Sequence, residues 1–204
     1  MTLQAIEIPD AILELRPTRD AQRLIHLAHQ KIENYTRAKR PAITNFVHCD
    51  FVLFNQALTW IVSNRLLSGN RFCEWGSGFG VATLLSALQG MDVVGIEIEP
   101  YLVEQSCQLA EQLELPASFY SGSFVPRDLS GILEWSCEVD HVSTEEDDVY
   151  DEMGHSLDEF DLFFAFPWPG EHGFFEAVFE QSAAESACLL SYRGRDGMNL
   201  MRKI

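Results

Sequence analysis

The sequence predicts an α/β protein: a doubly wound, mainly parallel sheet preceded by helices. Three observations carry that prediction. Past residue 70, short segments rich in β-branched and aromatic side chains alternate with amphipathic stretches of helical period. The segment 160–166 is apolar apart from Asp161 near its start, and the unbroken run from Leu162 to Phe166 is what a strand covered on both faces requires. A glycine-rich turn joins the first of these strands to the helix that follows it. Apolar residues make up 47% of the 204-residue chain, enough to bury a core at this length, so disorder throughout is excluded.

The elements follow in order. The first 70 residues read as helical. Thr18 is placed to cap a helix whose apolar stripe is Leu24, Leu27, Ala28, Ile32 and Tyr35, and Pro41 stops it. Asp50 caps a second helix, with Phe54, Leu58, Ile61, Val62 and Leu66 on one face. Arg71 to Trp75 is the first strand, and the helix after the glycine turn buries Val81, Leu84, Leu85 and Leu88 before Gly90 ends it. Asp92 to Ile98 is the second strand. Pro100 opens the next helix, where its missing N–H is not needed. Ala117 to Tyr120 and Phe160 to Phe166 are the third and fourth strands. A helix over 171–184 turns Phe174, Phe175, Val178 and Phe179 inward, and Ala187 to Tyr192 is the fifth strand. Turn residues at 193–197 let Met198 to Lys203 pair back as an abbreviated antiparallel edge strand. The chain thus divides into an N-terminal helical extension, 1–70, and an α/β domain, 71–204.

Charge narrows the partners. The formal net charge is −17, and the excess is local: residues 128–192 hold 17 acids and no Lys or Arg, while the rest holds 14 of each sign. The densest part, 145–152, is either a solvated loop or a collar that repels phosphate and draws in cations. Nucleic acid is disfavoured as a partner, because phosphate contacts need Lys and Arg. No apolar run approaches the roughly 18 residues of a membrane helix. Glu7 and Asp10 precede the first base, Arg16, which does not suit a targeting peptide. Five cysteines, at 49, 73, 107, 137 and 188, form no CxxC pair, and the six His are scattered. Together they fit reduced thiols in a cytoplasmic protein and no metal site.

The central motif is Glu74-Trp75-Gly76-Ser77-Gly78-Phe79-Gly80. A dinucleotide fingerprint needs its third glycine one residue later, so a nicotinamide or flavin cofactor is disfavoured. This E-x-G-x-G-x-G turn resembles the first motif of the class I S-adenosylmethionine-dependent methyltransferases. The next strand strengthens the match: it carries Glu97, 21 residues after Gly76, where that family places the carboxylate for the ribose hydroxyls. A carboxylate can accept both protons of a 2′,3′-diol. The resemblance implies a Rossmann-like fold with S-adenosyl-L-methionine as cofactor and methyl transfer as the activity. It implies that Glu74 belongs to the cofactor site, that Gly76, Ser77, Gly78 and Gly80 cradle the amino-acid end through backbone amides, and that Ile98 packs on the adenine. Ser123 or the Phe124 backbone would meet the adenine amino group, although the family often has Asp at the place of Ser123. Phe166 would border the cofactor.

The segment Ala165-Phe166-Pro167-Trp168-Pro169-Gly170-Glu171-His172 partly resembles the [DN]-P-P-[YW] loop of amine-directed methyltransferases. Ala165 and Phe166 replace its first two residues, so that chemistry is not carried over. Pro167 and Trp168 are expected to line an acceptor pocket, with His48 contributed by an N-terminal lid around 46–51. For Trp168 a pocket wall, a cation–π contact and plain packing all stay open. Glu171 and His172 are the candidate bases or acceptor contacts, or else caps of the next helix. The acceptor ranks as a small neutral or cationic molecule first, then a protein side chain, then nucleic acid. The alternative is a non-catalytic sensor or partner subunit that binds S-adenosylmethionine or S-adenosylhomocysteine. Only residues 193–204 follow the fifth strand, so the sheet edge is left open or covered by a second copy, which suggests a homodimer.

Overall fold

The computed structural model describes residues 2–37, 49–127, 129 and 149–204. Seven strands form one sheet: β1 (Leu3–Ile6), β2 (Arg71–Trp75), β3 (Asp92–Glu97), β4 (Ser118–Ser121), β5 (Leu162–Ala165), β6 (Cys188–Tyr192) and β7 (Met198–Lys203). Their spatial order is β1-β7-β6-β5-β2-β3-β4. β2 to β6 run parallel, and β7 is antiparallel to both its neighbours, β6 and β1. The helices are α1 (Arg19–Arg37), α2 (Phe51–Ser63), α3 (Val81–Leu88), α4 (Pro100–Leu113), α5 (Val149–Met153) and α6 (His172–Ser182).

Alternation along the strands sends side chains to two separate cores. On one face Phe72, Leu162, Phe164, Leu190 and Leu200 pack under α1 to α4. On the other, Cys73, Trp75, Ile96, Phe163 and Leu189 pack under α5 and α6. Both faces of the central strands are apolar because both are covered, as the continuous run at 162–165 foretold. Each fully buried large side chain here contributes roughly 1.5–3 kcal/mol. The chain winds from β2 outward to β4, then returns to β5 on the far side of β2. The switch point therefore lies between β2 and β5, and the carboxyl ends of these strands form the crevice where such sheets take ligands.

Local signals explain the starts of the helices. Thr18 Oγ1 accepts the Ala21 amide at 3.2 Å at the start of α1. Asp50 Oδ1 accepts the amides of Val52 and Leu53 at 3.1 and 3.0 Å. Pro100 opens α4.

The expected all-helical N-terminus needs a correction. Residues 3–6 form a strand, pairing Leu3 with Lys203 and Ile6 with Leu200. β1 therefore covers the edge of β7 that was expected to stand open or to meet a second copy. The reason for expecting a homodimer goes with it. Gln56 Nε2 then donates to the Leu13 and Leu15 carbonyls at 3.2 and 2.9 Å, fastening the segment after β1 to α2.

Candidate functional site

The glycine turn sits at the carboxyl end of β2, and Gly76, Gly78 and Gly80 all adopt positive φ (74°, 55° and 72°). Two of them have clear reasons to be glycine. A Cβ on Gly80 would stand 2.6 Å from the Phe119 ring, so no larger residue fits. Among the described residues a Cβ on Gly76 would meet nothing within 4 Å, which leaves room for a ligand to approach the backbone closely.

The turn's own amides are mostly engaged. Gly76 N and Ser77 N both donate to the Ile96 carbonyl at 2.9 Å, and Gly80 N donates to Ser77 O at 2.7 Å. Gly78 N donates to Glu97 Oε2 at 2.7 Å. What the turn offers outward is close approach at Gly76, in place of a nest of free amides. Ser106 Oγ of α4 braces the turn from below, donating to the Gly78 carbonyl at 2.9 Å. Ser106 had no signal in the sequence beyond its place on a helix.

Glu97 ends β3 and is 7% exposed. Its Oε1 accepts the Glu99 amide at 3.0 Å while Oε2 holds Gly78 N, so the carboxylate bridges the ends of two neighbouring strands. A carboxylate has about four acceptor sites, more than its neighbouring amides take up. Burial pushes its pKa up, and the amides of Glu99, Gly78 and Ile98 oppose that rise. Ile98 follows, half-buried.

Glu74 lies one residue before the end of β2 and is 5% exposed. Its Oε2 accepts both the amide (2.8 Å) and the hydroxyl (2.5 Å) of Thr83. Gly80 has no side chain to cap α3, and Glu74 does so from below. Burial pushes its pKa up to about 8, against the two Thr83 hydrogen bonds. Burial and then the Glu74 charge also raise the Cys49 thiol well above its ordinary range, which suits an inert packing residue.

Around this centre the structure distributes the other expected residues. Ser123 Oγ accepts the Val125 amide at 3.1 Å. The Phe124 ring packs in the second core, stacked on Trp75 (5.0 Å) and Phe175 (4.9 Å), and its carbonyl accepts the Tyr150 hydroxyl at 2.6 Å. Phe166 lies half-buried beyond β5, stacked on Tyr192 with centroids 4.9 Å apart and planes at 8°. Pro167 is buried and Trp168 half-buried. Glu171 is 6% exposed and its Oε2 accepts the Trp168 amide at 3.3 Å, closing the loop. His172 starts α6 with Nε2 3.0 Å from the Tyr192 carbonyl, so that nitrogen carries the proton. His48 lies outside the described residues. The N-terminal helices do reach the site: Tyr35 of α1 stacks on Tyr101 (5.6 Å) and meets Phe79 of the glycine turn edge-on (5.9 Å).

No protein-family model matches the sequence, and no curated protein matches it. The fold is similar to that of a hypothetical protein from Thermus thermophilus (TM-score 0.50, 16% identity, covering 81% of this chain and 92% of that one). It is also similar to an RNA methyltransferase from Salinibacter ruber in complex with S-adenosyl-L-homocysteine (TM-score 0.49, 16% identity, 78% and 92%). A third similar structure is the Pyrococcus abyssi tRNA (uracil-54, C5)-methyltransferase with S-adenosyl-L-homocysteine (TM-score 0.45, 14% identity). The likeness covers 78% of this chain and 40% of that protein. Strand order and the first of these likenesses define a Rossmann-like α/β fold whose switch point lies between β2 and β5. Among the described residues, no helix is long and apolar enough to cross a membrane.

Proposed function

We propose that the chain binds S-adenosyl-L-methionine across the carboxyl ends of β2, β3 and β4 and transfers its methyl group to a small-molecule acceptor. The observation that carries this reading is Glu97: a buried carboxylate held by Gly78 N and Glu99 N beside the glycine turn, with acceptor capacity left beyond the amides that hold it. That is the acceptor pair a vicinal diol needs, at the place a nucleoside would lie if its far end ran over Gly76.

The residues fit the cofactor. Gly76 permits close approach where a Cβ would intrude, and Glu97 can accept both ribose hydroxyls. When bound, the cofactor supplies an activated methyl on a sulfonium. The chain's part is to position it. Glu74 holds the turn through Thr83, Ile98 offers an apolar face for the base, and Ser123 and Phe124 bound the site at the end of β4. The helix α1, through Tyr35 against Phe79, acts as a cover on its side of the site. Phe166, Pro167 and Trp168 face the transfer side, with Glu171 and His172 behind them. In-line displacement at a sulfonium gains most from positioning and exclusion of water, and needs a base only for a protonated acceptor.

A small acceptor is favoured over nucleic acid by the net charge of −17 and by the run 128–192 without a Lys or Arg. The second reading, a cofactor-binding sensor without turnover, draws on His172 and Glu171. Both are tied to backbone groups, and Ala165 supplies no polar atom.

Calorimetry with S-adenosylhomocysteine tests the cofactor site. Binding is expected, and Glu97→Ala is expected to weaken it by about 1–3 kcal/mol through loss of charge-assisted hydrogen bonds. Equal affinity in the variant places the sugar elsewhere. Methyl-labelled cofactor incubated with metabolite extract separates enzyme from sensor, since only an enzyme moves the label to another molecule.

A further inference from the structure

The register sets Trp75, Ala165, Ser191 and Asn199 in one row across the carboxyl end of the sheet. Directly paired residues project from the same face, here the α6 face that carries Trp75 and Ala165. Arg193, two residues beyond Ser191, turns to that side as well, since its Nη2 donates to Glu176 of α6. The hairpin is closed by Arg193 N donating to Gly197 O at 2.8 Å. In this corner Ser191 Oγ, Asn199 Nδ2 and Arg193 Nε are all buried and have no partner among the described residues. Ser191 is 2% exposed. Adjacent strands lie about 4.8 Å apart and alternate residues roughly 7 Å apart, so the three groups are near enough to converge on one guest. Buried polar groups without partners are scarce in native proteins, and three in one corner call for a role.

We propose that Ser191, Arg193 and Asn199 anchor the methyl acceptor by an uncharged carbonyl group, as in an amide. This rests on the reading that the rim of β5 and β6 faces the acceptor. The guest must bring acceptor atoms, because the groups on offer are N–H and O–H donors. It is uncharged because Glu176 already matches the Arg193 charge, so a carboxylate here would displace an existing ion pair, at a desolvation cost, to gain one. Next to Ser191 in the row stands Ala165, whose methyl group is the smallest side chain there.

The test follows the Asn199 Nδ2–H2 and Arg193 Nε–H signals in ¹⁵N spectra of the full chain with S-adenosylhomocysteine, while acetamide or acetate is added. Both signals are expected to move along a saturating curve with acetamide, at concentrations roughly tenfold below those acetate needs. Ser191→Ala removes a buried hydroxyl that has no partner among the described residues, so the unfolding midpoint is expected to hold or rise. Its acetamide curve is expected to shift to higher concentration by about threefold or more. Non-saturating shifts, as when a buried water alone serves these donors, overturn the proposal. So does tighter acetate binding, or an acetamide curve unmoved by Ser191→Ala. The Gly76 and Gly78 amides in the same spectra report the cofactor. If they do not respond to S-adenosylhomocysteine, the cofactor reading fails by itself, and the acetamide response still decides the anchor.

Discussion

Glu74 is a carboxyl group that folding places in a dry setting. Burial raises its pKa from 4.5 to about 8, and the two Thr83 hydrogen bonds only partly oppose this. Between those values the unfolded chain has released the proton and the folded chain retains it. The contribution of Glu74 to stability is therefore present at low pH, falls as pH rises from about 4.5 to 8, and is level beyond. Glu74→Gln keeps an oxygen for Thr83 and has no proton to lose. The variant is expected to gain on the parent across that window, by about 3–5 kcal/mol at pH 8 relative to pH 4.5. Denaturant midpoints measured from pH 5 to pH 8 check this, and two parallel curves sink it. The acid itself was legible in the motif. Its partner Thr83 was not, because the contact spans nine residues around a turn whose path the sequence does not specify.

At the scale of elements, the strands that bury both faces announced themselves, and β1 did not. Four residues with only Leu3 and Ile6 as apolar anchors carry no readable period, and their partners lie at the other end of the chain. Which way Phe124 and Phe166 turn was equally hidden: each follows the end of a strand, where alternation no longer fixes the face. The pairing of β1 makes a sharp prediction. Thr2 and Ile204 exchange both backbone hydrogen bonds, so in an antiparallel ladder the next such pair is Gln4 with Arg202. The Ala5 amide then points away from β7, toward the uncovered side of an edge strand. Gln4→Pro removes a ladder bond and is expected to destabilise by about 1–2 kcal/mol. Ala5→Pro, at a position where an edge strand tolerates proline, is expected to stay within about 0.5 kcal/mol of the parent. Urea midpoints of the two variants distinguish them, and equal losses would mean that this register is wrong.

Over the whole molecule, charge works against the fold while it selects partners. With 31 acids against 14 bases, the compact state gathers like charges that the unfolded chain spreads out. Ion pairs such as Arg71 with Glu159 and Arg37 with Glu33 neutralise single sites and leave the excess untouched. Salt acts on that excess over distance: the Debye length falls from about 30 Å at 0.01 M to about 8 Å at 0.15 M, less than the width of the molecule. The thermal midpoint is therefore expected to rise as sodium chloride goes from 0.01 to 0.15 M, with most of the gain at the low end. The same field governs partners. A polyanion such as single-stranded RNA releases few counterions here, so its binding is expected to be undetectable even at 0.05 M salt, where phosphate contacts are strongest. An uncharged acceptor loses nothing to this field, so its affinity is expected to be flat across the same range. Melting curves and RNA anisotropy on one protein sample read both halves. A midpoint that falls with added salt would mean that the acids are paired far better than their number implies. Salt-sensitive RNA binding would mean that the few bases form a patch strong enough to overcome the net charge.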